Sequence, residues 1–270
     1  MKWLLSILIM SSFAWAQKPA LVEMELMTYA EVYTAIHDQG KITVLIYNGG
    51  TEQRGPHAVL GGHTFMARHD AAEIARRLGN ALVAPVFPFS PTDNFVNPKW
   101  PGTVSVPTDV YAKVNEAVVA SMATAGFKNI VVMGDHGGGQ QQLAEVARAM
   151  DAKYSPQGTR VYYCDTVYVK ARDDFNAILK QKNLPASTHA GIPDTSSLMY
   201  LGGEKYVRKN KMVAGDPVLP AGQQRDPNTP LVNNGIQGDP RRSTPALGKL
   251  FVEIQVADAV DQIRKLVGGK

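Results

Sequence analysis

The chain has 270 residues, a formal net charge of +4, 44% hydrophobic content and a single cysteine, Cys164. That length suits one large α/β domain with a sizeable core. The lone thiol excludes an internal disulfide. Basic residues are scattered, dense only at Lys205 to Lys211 and Arg241-Arg242, which argues against a nucleic-acid partner.

Met1-Lys2 forms a short positive start, Trp3 to Phe13 an apolar run, and Ala14-Trp15-Ala16 small residues at cleavage positions. This predicts a signal peptide over 1–16, maturation at Gln17 and export to a periplasm. The apolar run is too short to span a bilayer, and no later stretch approaches the about 20 apolar residues a spanning helix needs. No membrane contact is therefore expected after cleavage. Residues 17–270 read as one domain.

Within it, Tyr29 to His37 has helical spacing and Ile42 to Tyr47 is a first strand. Thr64 to Leu78 is helical and Ala81 to Phe87 a second strand. Asp109 to Ala125 is a helix with Thr108 as its expected N-cap and Gly126 as its stop. Ile130 to Met133 and Arg160 to Cys164 are strands, the latter making Cys164 a buried, inert thiol. Gln140 to Met150, Asp173 to Gln181, Thr195 to Leu201 and Leu247 to Val267 are helical. Residues Val213 to Pro245, dense in Pro, Gly, Asn, Asp and Gln, read as a long surface excursion. Strand-then-helix alternation predicts a three-layer α/β/α sandwich with a mainly parallel sheet.

Two motifs follow predicted strands, at the edge where open α/β sheets bind ligands. The first is Gly50-Thr51-Glu52-Gln53-Arg54-Gly55-Pro56-His57 with His63, the second Gly134-Asp135-His136-Gly137-Gly138-Gly139. Glu52 is either a solvated loop carboxylate or a side chain aimed over the sheet edge. His69, inside a helix, reads as a surface residue, while His57 and His63 suit either structural bonds or ligation. His136, held among glycines, suits a ligand or general base that Asp135 could orient. The glycine spacing matches neither a dinucleotide fingerprint nor a P-loop, and no Gly-x-Ser-x-Gly elbow is present. In the loop Ser187-Thr188-His189-Ala190-Gly191-Ile192-Pro193-Asp194-Thr195-Ser196, Asp194 suits an N-cap and His189 a proton carrier.

Together with Trp100-Pro101-Gly102-Thr103, these stretches resemble the creatininase (creatinine amidohydrolase) family across about residues 40–200. The resemblance implies a hydrolase of small cyclic amides or related C–N bonds, two divalent ions, and a homo-oligomer, often a hexamer. Here Arg54 stands for a second-metal histidine, His63 for the bridging aspartate, and Gly138 for a glutamate that some members carry. The implied site therefore holds one ion through Glu52, His63 and His136, with water in the open position. Zn²⁺ suits that set first, and Mn²⁺ or Fe²⁺ also fit. His189 would move the proton, Asp194 orient it, and Arg54 hold the carbonyl or carboxylate of a small amide or lactone substrate. The same substitutions also suit a catalytically inactive, exported binding or scaffold protein.

Overall fold

The computed structural model describes residues 19–219 and 222–268. The expected signal peptide, 1–16, and its cleavage point at Gln17 lie outside the described residues. Among them, four strands form the sheet: β1 (Thr43–Asn48), β2 (Ala81–Val83), β3 (Asn129–Gly134) and β4 (Arg160–Tyr163). Their order is β2-β1-β3-β4 and every pairing is parallel, in register from Thr43 opposite Asn129 to Asn48 opposite Gly134.

Among the described residues, seven α-helices flank it: α1 (Tyr29–His37), α2 (Gly62–Leu78), α3 (Thr108–Thr124), α4 (Gln140–Tyr154), α5 (Val169–Gln181), α6 (Ile192–Gly202) and α7 (Pro245–Gly268). β1, β2 and β3 are buried on both faces, which is why they read as aliphatic runs, while the edge strand β4 is only partly covered. Alternation sends Val44, Ile46, Ile130 and Val132 towards α1, α3 and α4. Leu45, Tyr47, Val131 and Met133 face α2 and α7. The result is the three-layer arrangement expected from the alternation. A further cluster of Met66, Phe175, Leu179, Ile192 and Phe251 ties α5 and α6 to α2 and α7. That cluster fixes the chain from 169 to 202 above the carboxyl end of the sheet.

Local differences from the sequence reading have local causes. The second strand stops at Val83. Ala84 still donates to Leu45, but Pro85 has no N–H, so the ladder ends there, with one isolated bridge from Asn48 to Phe87. Thr108 is the first residue of α3 rather than its cap; Pro107 takes that place with no side-chain bond. Asp194 likewise sits in the first turn of α6, after Gly191 as cap. α1 does carry a capping box, the Thr28 hydroxyl accepting from Glu31 N–H and the Glu31 carboxylate from Thr28 N–H. Within 213–245, residues 226–233 are exposed, yet Ile236, Gly238 and Pro240 are buried and a 3-10 turn spans Pro240–Arg242. Among the described residues, no helix is long and apolar enough to cross a membrane.

Candidate metal centre

The chain leaves β1 for α2 on one face of the sheet and leaves β3 for α4 on the other. The crevice between these two neighbouring strands is therefore the switch point of the sheet, where α/β folds bind ligands. Glu52 enters from the loop after β1, His63 from the first turn of α2, and His136 from the turn after β3. One donor atom from each lies within 4.8 Å of the others.

Glu52 is completely buried. Its Oε2 accepts from His136 Nε2 at 2.8 Å and from the Thr92 hydroxyl at 3.0 Å. Its Oε1 accepts no well-formed hydrogen bond although nitrogens crowd it. His63 Nε2 lies 3.0 Å away, His189 Nδ1 3.3 Å and Arg54 Nη2 3.5 Å. Burial pushes the Glu52 carboxyl up, but the three imidazoles outweigh it and hold the group well below the usual carboxylate range. A buried, ionised oxygen without a proper donor, facing imidazole nitrogens, fits a cation.

Asp135 does not orient His136, as the sequence suggested. Adjacent side chains diverge, and Asp135 Oδ2 takes His63 Nδ1 at 2.7 Å while its Oδ1 accepts from Gln255 at 3.1 Å. The bond turns His63 Nε2 towards Glu52, the carboxylate–histidine arrangement that prepares a ligand. Burial and Arg54 push the His63 pKa down; the two carboxylates outweigh them and raise it. At His136, the Gly138 N–H reaches Nδ1 at 3.0 Å. Gly138 allows no side chain, because a Cβ there would stand 1.9 Å from the Pro91 carbonyl oxygen.

His189 stacks on Phe95 with ring centroids 4.0 Å apart. Its Nε2 lies 2.7 Å from the Gln53 backbone oxygen and 3.0 Å from the Gln53 side-chain nitrogen. The shorter contact is to a carbonyl, which only accepts, so the proton sits on Nε2 and Nδ1 is free beside Glu52. Asp194 therefore does not orient the His189 ring as expected. It reaches that loop only through Ala190 N–H, at 2.9 Å. Its other partners are Arg54 Nη1 at 3.0 Å and Arg172 Nη2 at 2.6 Å. Burial pushes the Asp194 pKa up, but the Arg172 and Arg54 charges hold it well below the ordinary range.

Arg54 does not line the cavity, so the substrate-holding role expected of it has no geometric basis. Its stem runs beneath the start of α2, where a Cβ on Gly62 would come within 2.6 Å of Nε. The guanidinium is spent inside the protein, between Glu52 and Asp194. His57 is buried and pairs with Thr195 at 2.9 Å, pinning the Glu52 loop to α6; burial first, and then Arg54, push its pKa down to about 4. His69 lies outside the site, bonded to Asp70 at 3.0 Å.

The cavity above the centre holds about 260 Å³ and is lined by Glu52, His63, His136, His189 and Asp194. Residues that no motif marks also line it: Thr92, Phe95, Tyr168, Arg172 and Gln237. α5 starts at Val169, four residues before the expected Asp173, and that extra turn carries Arg172 with Tyr168 just before it.

Comparison with known proteins identifies the family and matches the fold. The creatininase family model, described as creatinine amidohydrolase, matches residues 25–263. A mycofactocin precursor peptide peptidase of Mycolicibacterium smegmatis is 25% identical over 236 residues, 82% of this chain and 84% of the relative. A 3-dehydro-scyllo-inosose hydrolase of Thermotoga maritima is 25% identical over 122 residues, 45% of this chain and 38% of that protein. The crystal structure of a creatininase superposes with a TM-score of 0.74 at 19% identity, covering 91% of this chain and 97% of the other. Creatininases solved in a manganese form and in a Zn-Zn form superpose at 0.74 and 0.73, at 19% identity and with 91% of this chain and 98% of each covered. With its sheet, its switch-point cluster and a family match over nearly its whole length, this chain belongs to the creatininase family.

Proposed function

We propose that the chain is a metal-dependent amidohydrolase. It cleaves the C–N bond of a small, cyclic amide, or the corresponding bond of a lactone, using a single divalent cation held by Glu52, His63 and His136. The observation that carries this reading is the buried Glu52 Oε1, ionised and without a well-formed hydrogen bond between the His63 and His189 imidazoles, with His136 on Oε2. Two nitrogens and one carboxylate suit Zn²⁺ first, with Mn²⁺ and Fe²⁺ also compatible. A cation held by these three residues would supply Lewis-acid polarisation of a carbonyl and acidification of a water.

The chain's own residues supply the rest. Asp135 fixes the His63 tautomer, and Thr92 and Arg54 hold the Glu52 carboxylate in place. His189, clamped by Phe95 and the Gln53 carbonyl with its free Nδ1 towards the centre, would take a proton there from the attacking water and deliver it to the leaving nitrogen or oxygen. The export signal expected at 1–16 puts this chemistry in the periplasm, and a homo-oligomer is the expected assembly.

Elemental analysis of protein purified without chelator tests the reading: close to a single Zn or Mn per chain is expected. Glu52→Ala and His136→Ala should lose both the ion and the rise in melting temperature that Zn²⁺ confers on wild type. Metal-free protein whose stability ignores added Zn²⁺ would overturn the enzyme reading in favour of an inactive binding or scaffold protein. Arg54 in the place of a second-metal ligand favours that alternative.

A further inference from the structure

Arg172 stands on α5 and enters the cavity wall beside Tyr168, Thr188 and Gln237. Its Nη2 donates to Asp194 Oδ1 at 2.6 Å. Asp194 Oδ2 meanwhile meets Arg54 Nη1 at 3.0 Å and the Ala190 N–H at 2.9 Å. One carboxylate thus serves two guanidinium groups, and both its oxygens are in use. The Tyr168 ring backs the Arg172 guanidinium at 4.7 Å, and Nε is buried without a partner. Charge balance sharpens the point. Arg54 and Arg172 set against Glu52, Asp135 and Asp194 leave one negative charge; a divalent cation makes it one positive. An uncompensated charge in so enclosed a site is costly, and an incoming anion offsets it.

We propose that this site selects an anionic substrate: a small amide or lactone bearing a carboxylate. The Arg172 edge left free by Asp194 binds the carboxylate, while the scissile carbonyl lies at the Glu52–His63–His136 centre. The inference rests on the hydrolase reading above for the carbonyl, but on Arg172 alone for the acid. Arginine suits the task because its planar fork offers a second edge of donors after the first is used. Hydrolysis adds one water across the bond, oxygen to the carbonyl carbon and a proton to the leaving nitrogen. The product of a carboxylated lactam is then an amino dicarboxylate, and that of a lactone its hydroxy counterpart.

Calorimetric titration of zinc-loaded wild type with matched pairs of lactams and lactones, acid against uncharged parent, tests the proposal; pyroglutamate and pyrrolidone make one such pair. At least one acid should bind about tenfold or more tighter than its parent. Arg172→Gln should weaken that acid roughly 10- to 100-fold and close the gap between acid and parent. Arg172→Lys, which keeps a charge, should fall between and covers the case in which the glutamine variant does not fold. Equal binding of acid and parent throughout, an acid preference that survives Arg172→Gln, or no acid bound at all overturns the proposal. Turnover of uncharged members with no acid preference sinks it while sparing the hydrolase reading. Acid-selective binding without metal uptake or turnover upholds anion selection and sinks the hydrolase reading.

Discussion

Replacing Asp194 by asparagine keeps the shape of the side chain and removes its charge, leaving two arginines to face each other across it. Arg54 is completely buried and the Asp194 side chain is 2% exposed. Breaking a buried pair by removing one partner costs about 3–5 kcal/mol. For a domain of this size each kcal/mol lowers the melting temperature by about 2–4 °C, so Asp194→Asn should melt roughly 10 °C lower. The Asp194 pKa is depressed on folding, so its stabilisation is fully present above about pH 4, the unfolded value. It is lost as the pH falls through the lower folded value. The deficit of the variant should be constant between pH 8 and pH 5 on these grounds, and should narrow below about pH 4. Urea unfolding followed by circular dichroism across that range measures it. Asp194→Asn combined with Arg54→Met should recover part of the loss, because the stranded buried cation goes too. A deficit under about 1 kcal/mol, or a double variant worse than the sum of its singles, would refute the argument that charge pairing governs this corner.

Burial pushes the Asp70 carboxyl up to about 7 although His69 lies beside it. The folded state resists ionisation, so stability should decline as pH rises from about 4 to 7, and Asp70→Asn should gain up to about 4 kcal/mol at pH 8; a denaturation series over pH shows either the slope or its absence. His57 behaves oppositely: held neutral down to about 4, it should cost stability as pH falls from about 6.5 towards that value, and His57→Gln should flatten this limb of the same series. His189→Ala should lower kcat about 10²- to 10⁴-fold with bound metal unchanged, and loss of the ion along with activity would make His189 a ligand instead. Gly138→Glu should unfold or shift the Pro91 loop rather than bind a second ion, because a Cβ at 138 meets the Pro91 oxygen at 1.9 Å; two ions per folded chain would contradict that.

The sheet was legible because Val44 to Tyr47 and Ile130 to Met133 are buried on both faces and so show no polar interruption. The centre was legible because Glu52 and His136 each follow such a run within a few residues, and parallel strands bring their ends together. What failed to show were relations set by long-range packing. Arg54 reads as a cavity residue from its motif, but the bare Gly62 lets it pass under α2 towards Asp194. Arg172 carries no motif at all. It arrives at the cavity because Phe175 and Leu179 dock α5 against Phe251 of α7, some eighty positions later in the chain. Asp135 reads as a helper of His136 but serves His63, since sequence adjacency says nothing about which way an extended residue's neighbour points.

Gln237 accepts from Thr188 N–H at 3.0 Å and donates to the His189 carbonyl at 2.9 Å, while the Gly215 N–H reaches the Gly238 carbonyl at 2.9 Å. The segment between 213 and 245 is thus stapled at its root and exposed over 226–233. Gln237 lines the cavity and 226–233 do not, so insertions or deletions at the exposed tip should leave the His189 imidazole in place. In this protein the freedom to vary in length is separated, along one piece of backbone, from the duty to hold what reacts.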